Sequence, residues 1–265
     1  MTIGEFRDII SAEVPFTMRL DFDNVGLLVG ETSRELHRIL IALDVTLDVI
    51  AEAAASGAEL ILTHHPVIFS GQKSITDETP TGQLILSLAR NGIAALCLHT
   101  NLDAISGGVS DALAKALGLE SVTVLEHMGV DSQGRDYGAG RIGELGGAAN
   151  TMAVFLRNAI EALGAKGARY YDAGKPVHRV AVCGGSGGEY LELAHAENCD
   201  TYLTADIKYD RFLTAEQLGI NLIDAGHFCT ENVIVPVLAD MVARLAPALD
   251  VRVSQHRAVY DVISG

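Results

Sequence analysis

The chain has 265 residues, of which 49% are hydrophobic and 20% are charged, and its formal net charge is −15. Its length and composition predict a globular protein with one large or two small α/β domains. The excess of acidic residues argues against a nucleic-acid partner, because binding along a phosphate backbone relies on lysine and arginine.

The first half of the chain alternates strand-like and helix-like segments. Buried strands are predicted where apolar residues run almost without interruption, and helices where apolar residues recur at helical spacing and a glycine follows. In chain order, the pattern predicts a strand over Leu36–Asp44, a helix over Thr46–Ser56, a strand over Ala58–Thr63, a helix over Thr81–Arg90, a strand over Ile93–Leu98 and a helix over Ser110–Leu117. Strand–helix–strand order implies right-handed crossovers and parallel pairing.

The second half repeats this plan. With an offset of 141, residues 37–63 align with residues 178–204 without a gap, and 6 of the 27 positions are identical. We therefore predict an α/β protein of two related halves, each βαβαβ-like, with mixed sheets flanked by helices. Shared ancestry and chance similarity of alanine-rich helices both remain open as explanations of the repeat.

The segments outside the repeat are less regular. Glu120–Ala149 is rich in glycine and is predicted to be a linker with a hairpin or two, followed by a helix over Thr151–Leu163. Asn232–Leu245 is predicted to be a helix and Val251–Ile263 a final strand or two. The predicted domains are residues 1–124 with 226–265, carrying most of the metal ligands, and residues 125–225.

The expected location is the cytoplasm. Charged residues interrupt the first 15 positions, which excludes a secretory hydrophobic segment there, and no apolar run reaches the roughly 18 residues of a membrane span. Four widely spaced cysteines without a C-x-x-C motif are typical of free thiols in a reducing compartment. We expect no membrane partner.

Histidine and acidic residues follow the predicted strands. His64, His65, His99 and His227 stand at strand ends, while Asp103 and Glu231 each lie four residues beyond a histidine. Ligands of open parallel sheets bind at the carboxyl ends of the strands. We therefore predict that His64, His65, Asp103, His227 and Glu231 bind two divalent metal ions, with Thr230 capping a helix that Glu231 opens.

His99 has two open interpretations. It is a candidate general acid or base, or it orients Asp103 or a metal ligand without touching the metal. A lone histidine at a strand end is usually structural, but an adjacent pair with two His-x₃-acid spacings favours a metal site. Imidazole with carboxylate suits zinc, iron, manganese, cobalt or nickel, so the identity of the metal stays open.

Two further segments are candidates for substrate binding. Gly184, Gly185, Ser186 and Gly187 follow a predicted strand and precede a helix, where glycines form an anion-binding loop or simply permit a tight turn. Asp206, Lys208 and Tyr209 follow the strand that the repeat makes equivalent to the one before His64. They either face a substrate or form surface ion pairs.

In combination, these motifs resemble the NIF-three-like family, also called GTP cyclohydrolase 1 type 2 homologues, over nearly the whole chain. The resemblance rests on Asp23–Gly30 (DNVGLLVG), Ala42–Thr46 (ALDVT), Thr63–Pro66 (THHP), His99–Asp103 (HTNLD), Gly184–Gly187 (GGSG) and Gly226-His227 with Glu231. It implies a toroidal homohexamer with dinuclear metal centres, whose ligands match His64, His65, Asp103, His227 and Glu231. Two positions depart from the family pattern: Phe22 replaces a usual tryptophan, and Asp210 replaces a common histidine.

The resemblance implies a metal-dependent hydrolase in which metal-activated water attacks a nucleotide or another cyclic amidine or amide. Phosphoester hydrolysis suits the same residues. The alternative is a non-catalytic metal-binding assembly protein that serves as metal store, chaperone or interaction scaffold.

Overall fold

The computed structural model describes residues 1–146 and 150–262. The elements of the first half are α1 (Ile3–Glu13), a 3-10 turn (Phe16–Met18), β1 (Gly26–Val29), β2 (Arg38–Ala42), α2 (Leu47–Ser56), β3 (Leu60–Thr63), α3 (Pro80–Asn91), β4 (Ala94–Cys97), α4 (Thr100–Ala104) and α5 (Val109–Ala116). The elements of the second half are β5 (Leu119–Val130), β6 (Asp136–Leu145), α6 (Met152–Ala162), β7 (Arg169–Tyr171), β8 (Arg179–Ser186), a 3-10 turn (Gly188–Tyr190), α7 (Leu191–Ala196), β9 (Thr201–Ala205), α8 (Tyr209–Leu218), β10 (Asn221–Asp224), α9 (His227–Glu231), α10 (Ile234–Leu245) and β11 (Asp250–Val253).

The chain divides into two compact units, Met1–Leu102 with Val235–Arg257 and Asp103–Ile234 with Ala258–Gly265. These bounds differ from the predicted domains of 1–124 with 226–265 and 125–225. The difference arises because α5 and β5 pack with the second unit: Leu113 and Leu119 share a core with Val180 and Ile223. As a result, two of the five candidate metal ligands, His64 and His65, lie in the first unit, and the other three, Asp103, His227 and Glu231, lie in the second.

The described part of the first unit is built on a five-stranded sheet of order β1-β4-β3-β2-β11. Strands β4, β3, β2 and β11 are parallel, and β1 runs antiparallel to β4 at the edge. β3 and β4 are buried throughout, as continuous apolar runs require when helices cover both faces of a parallel sheet. Thr46 caps α2 by accepting a hydrogen bond from the Val49 amide, and Gly57 ends the helix with a φ of 71°.

The described part of the second unit is built on a six-stranded sheet of order β5-β6-β8-β9-β10-β7. Its centre, β8-β9-β10, is parallel, whereas β6 and β7 add antiparallel strands on either side. Over Glu120–Ala149 the predicted hairpin is present, whereas the predicted linker is wrong for most of that segment. Its described residues form the long β5–β6 hairpin, which pairs from Leu119–Leu145 to Val130–Asp136 and extends the sheet; residues 147–149 lie outside the described chain.

The internal repeat is confirmed at the level of hydrogen bonds. Register pairs Ile39 with Leu60 in the first unit and Val180 with Thr201 in the second, which is the same pairing shifted by 141. In each unit, the acidic residue just before the second strand of this pair accepts a hydrogen bond from a backbone amide of the first strand. Glu59 accepts from the amide of Arg38, and Asp200 accepts from the amide of Arg179, each at 2.8 Å. The two parallel cores are therefore built alike, as the prediction of two βαβαβ-like halves requires.

Several boundaries differ from the predictions. The predictions included no element at α1, β1 or β7. The predicted helix Asn232–Leu245 begins only at Ile234, and the predicted strand Val251–Ile263 ends at Val253, with Ile263 outside the described residues. No disulfide joins the four cysteines, all of which lie in the described chain. No helix in that part of the chain has the length and apolarity to cross a membrane.

Candidate metal centre

Three histidines of the first unit meet at the carboxyl ends of two neighbouring parallel strands. His64 and His65 follow β3 and His99 follows β4, and Thr63 pairs with Cys97 at the ends of these strands. One ring nitrogen from each histidine lies within 4.8 Å of the others. Ring centroids are 4.9 Å apart for His64 and His65 and 5.1 Å apart for His64 and His99. The adjacent pair therefore turns both rings toward one cluster, as a loop permits and a strand does not.

The Nδ1 atoms of the adjacent histidines are already engaged. His64 is fully buried and its Nδ1 donates to the Leu98 carbonyl at 2.9 Å. Nδ1 of His65 lies 2.7 Å from Oδ1 of Asp44, the residue that follows β2 by two positions. An acceptor at Nδ1 fixes the tautomer and the ring plane, so that Nε2 is the nitrogen with which such an imidazole would bind a metal.

His99 has the same arrangement. Its Nδ1 lies 2.7 Å from Oδ1 of Asp23, whose Oδ2 accepts from the amide of Thr100 at 3.0 Å and from its hydroxyl at 2.5 Å. Burial alone would raise the pKa of Asp23, but the hydrogen bonds from His99 and Thr100 outweigh it and hold this pKa well below its usual range. Asp23 is therefore a fixed carboxylate that orients His99. A role for His99 in catalysis stays a prediction.

His227 and Glu231 of the second unit face each other across one turn of α9. Nε2 of His227 lies 3.0 Å from Oε2 of Glu231, which is almost completely buried, and Nδ1 of His227 lies 2.7 Å from Asp206. The expected cap by Thr230 is wrong, because the helix begins at His227 and ends at Glu231. Thr230 instead accepts a hydrogen bond from the Gly185 amide at 3.0 Å, which joins the glycine segment to α9.

The glycine segment Gly184–Gly187 lies against these ligands. β8 continues as far as Ser186 with an irregularity after Val182, so most of the segment belongs to a strand. Gly185 has a φ of +63°, and a Cβ there would stand 2.0 Å from Oε1 of Glu231 and 3.2 Å from Nε2 of His227. Glycine is required because backbone and carboxylate approach closely. The helix that follows has only six residues, which gives the anion-binding alternative no helix N-terminus of useful length.

Asp103 is placed in α4, and its charge acts on Cys183 together with that of Glu231. Burial, and then these carboxylates, raises the pKa of the Cys183 thiol, which keeps it protonated. The backbone after Asp103 is held by the buried guanidinium of Arg141, which donates to the carbonyls of Ala104 and Ile105. Asp103 thus stands at the end of a firmly anchored short helix.

The segment Asp206–Tyr209 is only partly associated with these groups. Asp206 adopts a φ of +54° and contacts His227, so it orients a candidate ligand. Lys208 and Tyr209 are exposed, Tyr209 to 76%, at the start of α8. Their predicted role in substrate binding stays a prediction.

Sequence reasoning assigned no role to three acidic residues that organise the strand ends: Asp23, Asp44 and Asp224. Asp224 accepts from the amides of Ile207 and Gly226, each at 3.1 Å, and so fixes the residues beside Asp206 and His227. Asp224 is the last residue of β10, Asp44 lies two residues beyond β2, and Asp23 lies in the loop before β1. Asp44 could have been recognised from the sequence, because it is an acidic residue that follows β2 at the same sheet edge as the histidines that follow β3 and β4.

Imidazole nitrogens and carboxylate oxygens are common ligands of transition-metal ions, and no cysteine belongs to the candidate donor groups among the described residues. The fold and these donors define an α/β protein with groups of side chains that could hold a metal ion. A family model described as Duf34/NIF3 (NGG1p interacting factor 3) matches residues 1–258, and the chain belongs to this family.

Named relatives and solved structures agree with this assignment. A Clostridium perfringens protein named "GTP cyclohydrolase 1 type 2 homolog" is 35% identical over 252 residues, covering 94% of this chain and 93% of the relative. A Lactococcus lactis protein of the same name is 31% identical, covering 99% and 100%. The crystal structure of a Bacillus cereus protein related to NIF3 superposes with a TM-score of 0.92 at 25% identity, covering 99% of both chains. A Staphylococcus aureus protein does so with 0.92 at 27% identity, also covering 99% of both chains.

Proposed function

We propose that this chain is a dinuclear metal-dependent hydrolase of the GTP cyclohydrolase 1 type 2-like kind, with two divalent ions per subunit. The proposed metal ligands, predicted from the sequence, are His64, His65, Asp103, His227 and Glu231. The proposal takes its reaction class from the name that the relatives share and its ligands from the donor sets of the two units.

The observation that carries the proposal is the shared state of the Nδ1 atoms. Nδ1 of His65 and of His227 lies 2.7 Å from a carboxylate oxygen, and Nδ1 of His64 donates to a carbonyl. Carboxylate–histidine pairs of this kind are typical of metal-binding imidazoles, because the acceptor raises the basicity of Nε2 and fixes its direction. A histidine with only a structural role would not be stabilised by directing its Nε2 atom toward other imidazoles.

Bound divalent ions would supply Lewis-acid chemistry and activate water for attack on a cyclic amidine, an amide or a phosphoester. The chain's own groups then bind and orient. His99, fixed by Asp23, is the proposed proton carrier. Lys208 and Tyr209 at the start of α8, with Asp206 and the segment Gly184–Gly187, are the proposed substrate-binding groups.

We further propose a toroidal homohexamer in a reducing compartment such as the cytoplasm. The absence of disulfides among the four described cysteines supports a reducing compartment, because secreted proteins usually pair theirs. Sedimentation velocity of the purified chain tests the assembly, and any single species other than a hexamer contradicts it.

Elemental analysis and an activity screen test the main proposal together. Metal-loaded protein is expected to contain two equivalents of one transition metal and to hydrolyse at least one of GTP, other nucleotides or generic phosphoesters. Asp103→Ala is expected to lose activity and part of the metal, while Asp240→Ala, on the exposed side of α10, retains both. Stoichiometric metal with no activity across the panel would favour a metal store or scaffold instead.

A further inference from the structure

Two exposed aromatic side chains stand beside the histidine cluster of the first unit. Phe22 is 65% exposed and Phe69 is 52% exposed, and their ring centroids are 6.2 Å apart with the planes tilted by 54°. The ring of Phe69 meets that of His99 edge-on, with centroids 6.1 Å apart. Single exposed apolar side chains are common on protein surfaces and need no explanation. Two large ones that are exposed side by side at a candidate site form an apolar patch, which does need one.

The backbone beneath both rings is fixed. Asp23, next to Phe22, is bound to His99 and Thr100. Asn24 donates from its side-chain amide to the carbonyl of Ile68, next to Phe69, at 2.5 Å. The two aromatic residues are therefore held in register with each other and with His99 by hydrogen bonds of residues next to them in the chain, while each side chain stays more than half exposed.

We propose that Phe22 and Phe69 form a stacking subsite for a planar heteroaromatic ring, such as a purine base, whose reacting end reaches the histidine cluster. Ring faces at a tilted angle accept a flat ligand by offset or edge-to-face contact. The inference deepens the proposed function, on which it rests for the presence of a substrate, by naming a nucleobase-like ring as the part recognised here.

The size of the patch favours a small ligand over a protein surface. Two aromatic side chains bury about 300–500 Å² when fully covered, and this pair is already partly covered. A stable protein interface needs about 800 Å² from each partner. The net charge of −15 also makes an uncharged ring a more suitable object of recognition here than a phosphate.

The chain contains no tryptophan, so Phe22→Trp introduces a single indole reporter within the subsite. Titration with guanosine is expected to quench its fluorescence saturably, whereas ribose, which lacks the ring, leaves it unchanged. Adding Phe69→Leu is expected to weaken guanosine binding about tenfold, in line with the contribution of one base–aromatic stack. Leu47→Trp is the matched control, because Leu47 is 49% exposed at the start of α2, and its fluorescence is expected not to respond.

Three results would overturn the subsite: absence of quenching in both metal-loaded and chelator-treated protein, equal quenching in the Leu47→Trp control, or a change of oligomeric state in a Phe22→Ser/Phe69→Ser variant that remains folded. The last result would assign the rings to a contact between copies of the chain. Quenching in protein that by elemental analysis holds no metal even after metal loading would leave the subsite standing and would contradict the metal-dependent function.

Discussion

Nδ1 of His227 lies 2.7 Å from the carboxylate of Asp206, a residue that the repeat places at the position of His65 in the other unit. The same strand end thus holds a candidate ligand in one unit and the residue that orients a ligand in the other. His65 itself is oriented from the preceding strand, by Asp44.

Asp206→Asn is expected to weaken metal binding about tenfold, because loss of a carboxylate that orients a metal-binding histidine costs roughly 10–100-fold in affinity. Asparagine tolerates the positive φ of this residue, so folding is expected to be preserved. Competition with a chromophoric chelator measures the affinity. Asp210→Asn, exposed in the first turn of α8, is the control; equal affinities for the two variants would show that Asp206 does not act on the metal.

Gly185→Ala is expected to weaken metal binding at least tenfold and to destabilise the fold by more than backbone strain alone. An alanine at positive φ costs about 1 kcal/mol, and here its Cβ would also collide with Glu231, at 2.0 Å from Oε1. Gly219→Ala is a matched control, since its φ is +64° and a Cβ there would meet open space among the described residues. Urea unfolding and metal titration of both variants separate strain from collision, and identical behaviour would contradict the close approach.

Arg141→Met is expected to cost about 3 kcal/mol of stability, because the buried guanidinium serves several acceptors whose loss leaves polar groups unsatisfied. It is 2% exposed and donates to Asp111 and to the carbonyls of Ala104, Ile105, Gly138 and Gly140. Chemical denaturation measures the loss. Arg157→Met, exposed on α6, is expected to change stability by less than about 0.5 kcal/mol, and a similarly small effect at Arg141 would refute its anchoring role.

Glu59→Ala and Asp200→Ala are expected to have parallel local effects. Each removes the acceptor of a backbone amide at the start of a strand, in the pairs with Arg38 and Arg179. Hydrogen exchange followed by mass spectrometry is expected to show faster exchange of β2 in the first variant and of β8 in the second. Acceleration of both strands by either variant would mean global destabilisation and would remove the argument for equivalent local roles.

The central parallel strands could be predicted from the sequence because burial on both faces leaves an unbroken apolar run. β3, β4 and β9 have this property, and the histidines that follow β3 and β4 marked where a site would form. The family assignment was likewise confirmed, since its motifs span the region that the family model matches.

The extent of the β5–β6 hairpin was missed because half of the residues of β5 are exposed and β6 contains three glycines, features that a loop shares. α1 was missed although Thr2 and Glu5 form a capping box, a signal that sequence inspection can recognise. The role of Asp23 could not be predicted from the sequence, for a different reason. It contacts His99 across 76 positions of the chain, and only the order of strands in the sheet brings the two together.

The repeat pairs Asp44 with Gly185, 141 positions apart. One copy of the motif has an acid at this position to hold His65, and the other has a residue without a side chain because Glu231 occupies the space. Replacing Gly185 with the acid of its counterpart would bring two carboxylates into one volume. Single substitutions therefore cannot exchange the roles of these two strand ends.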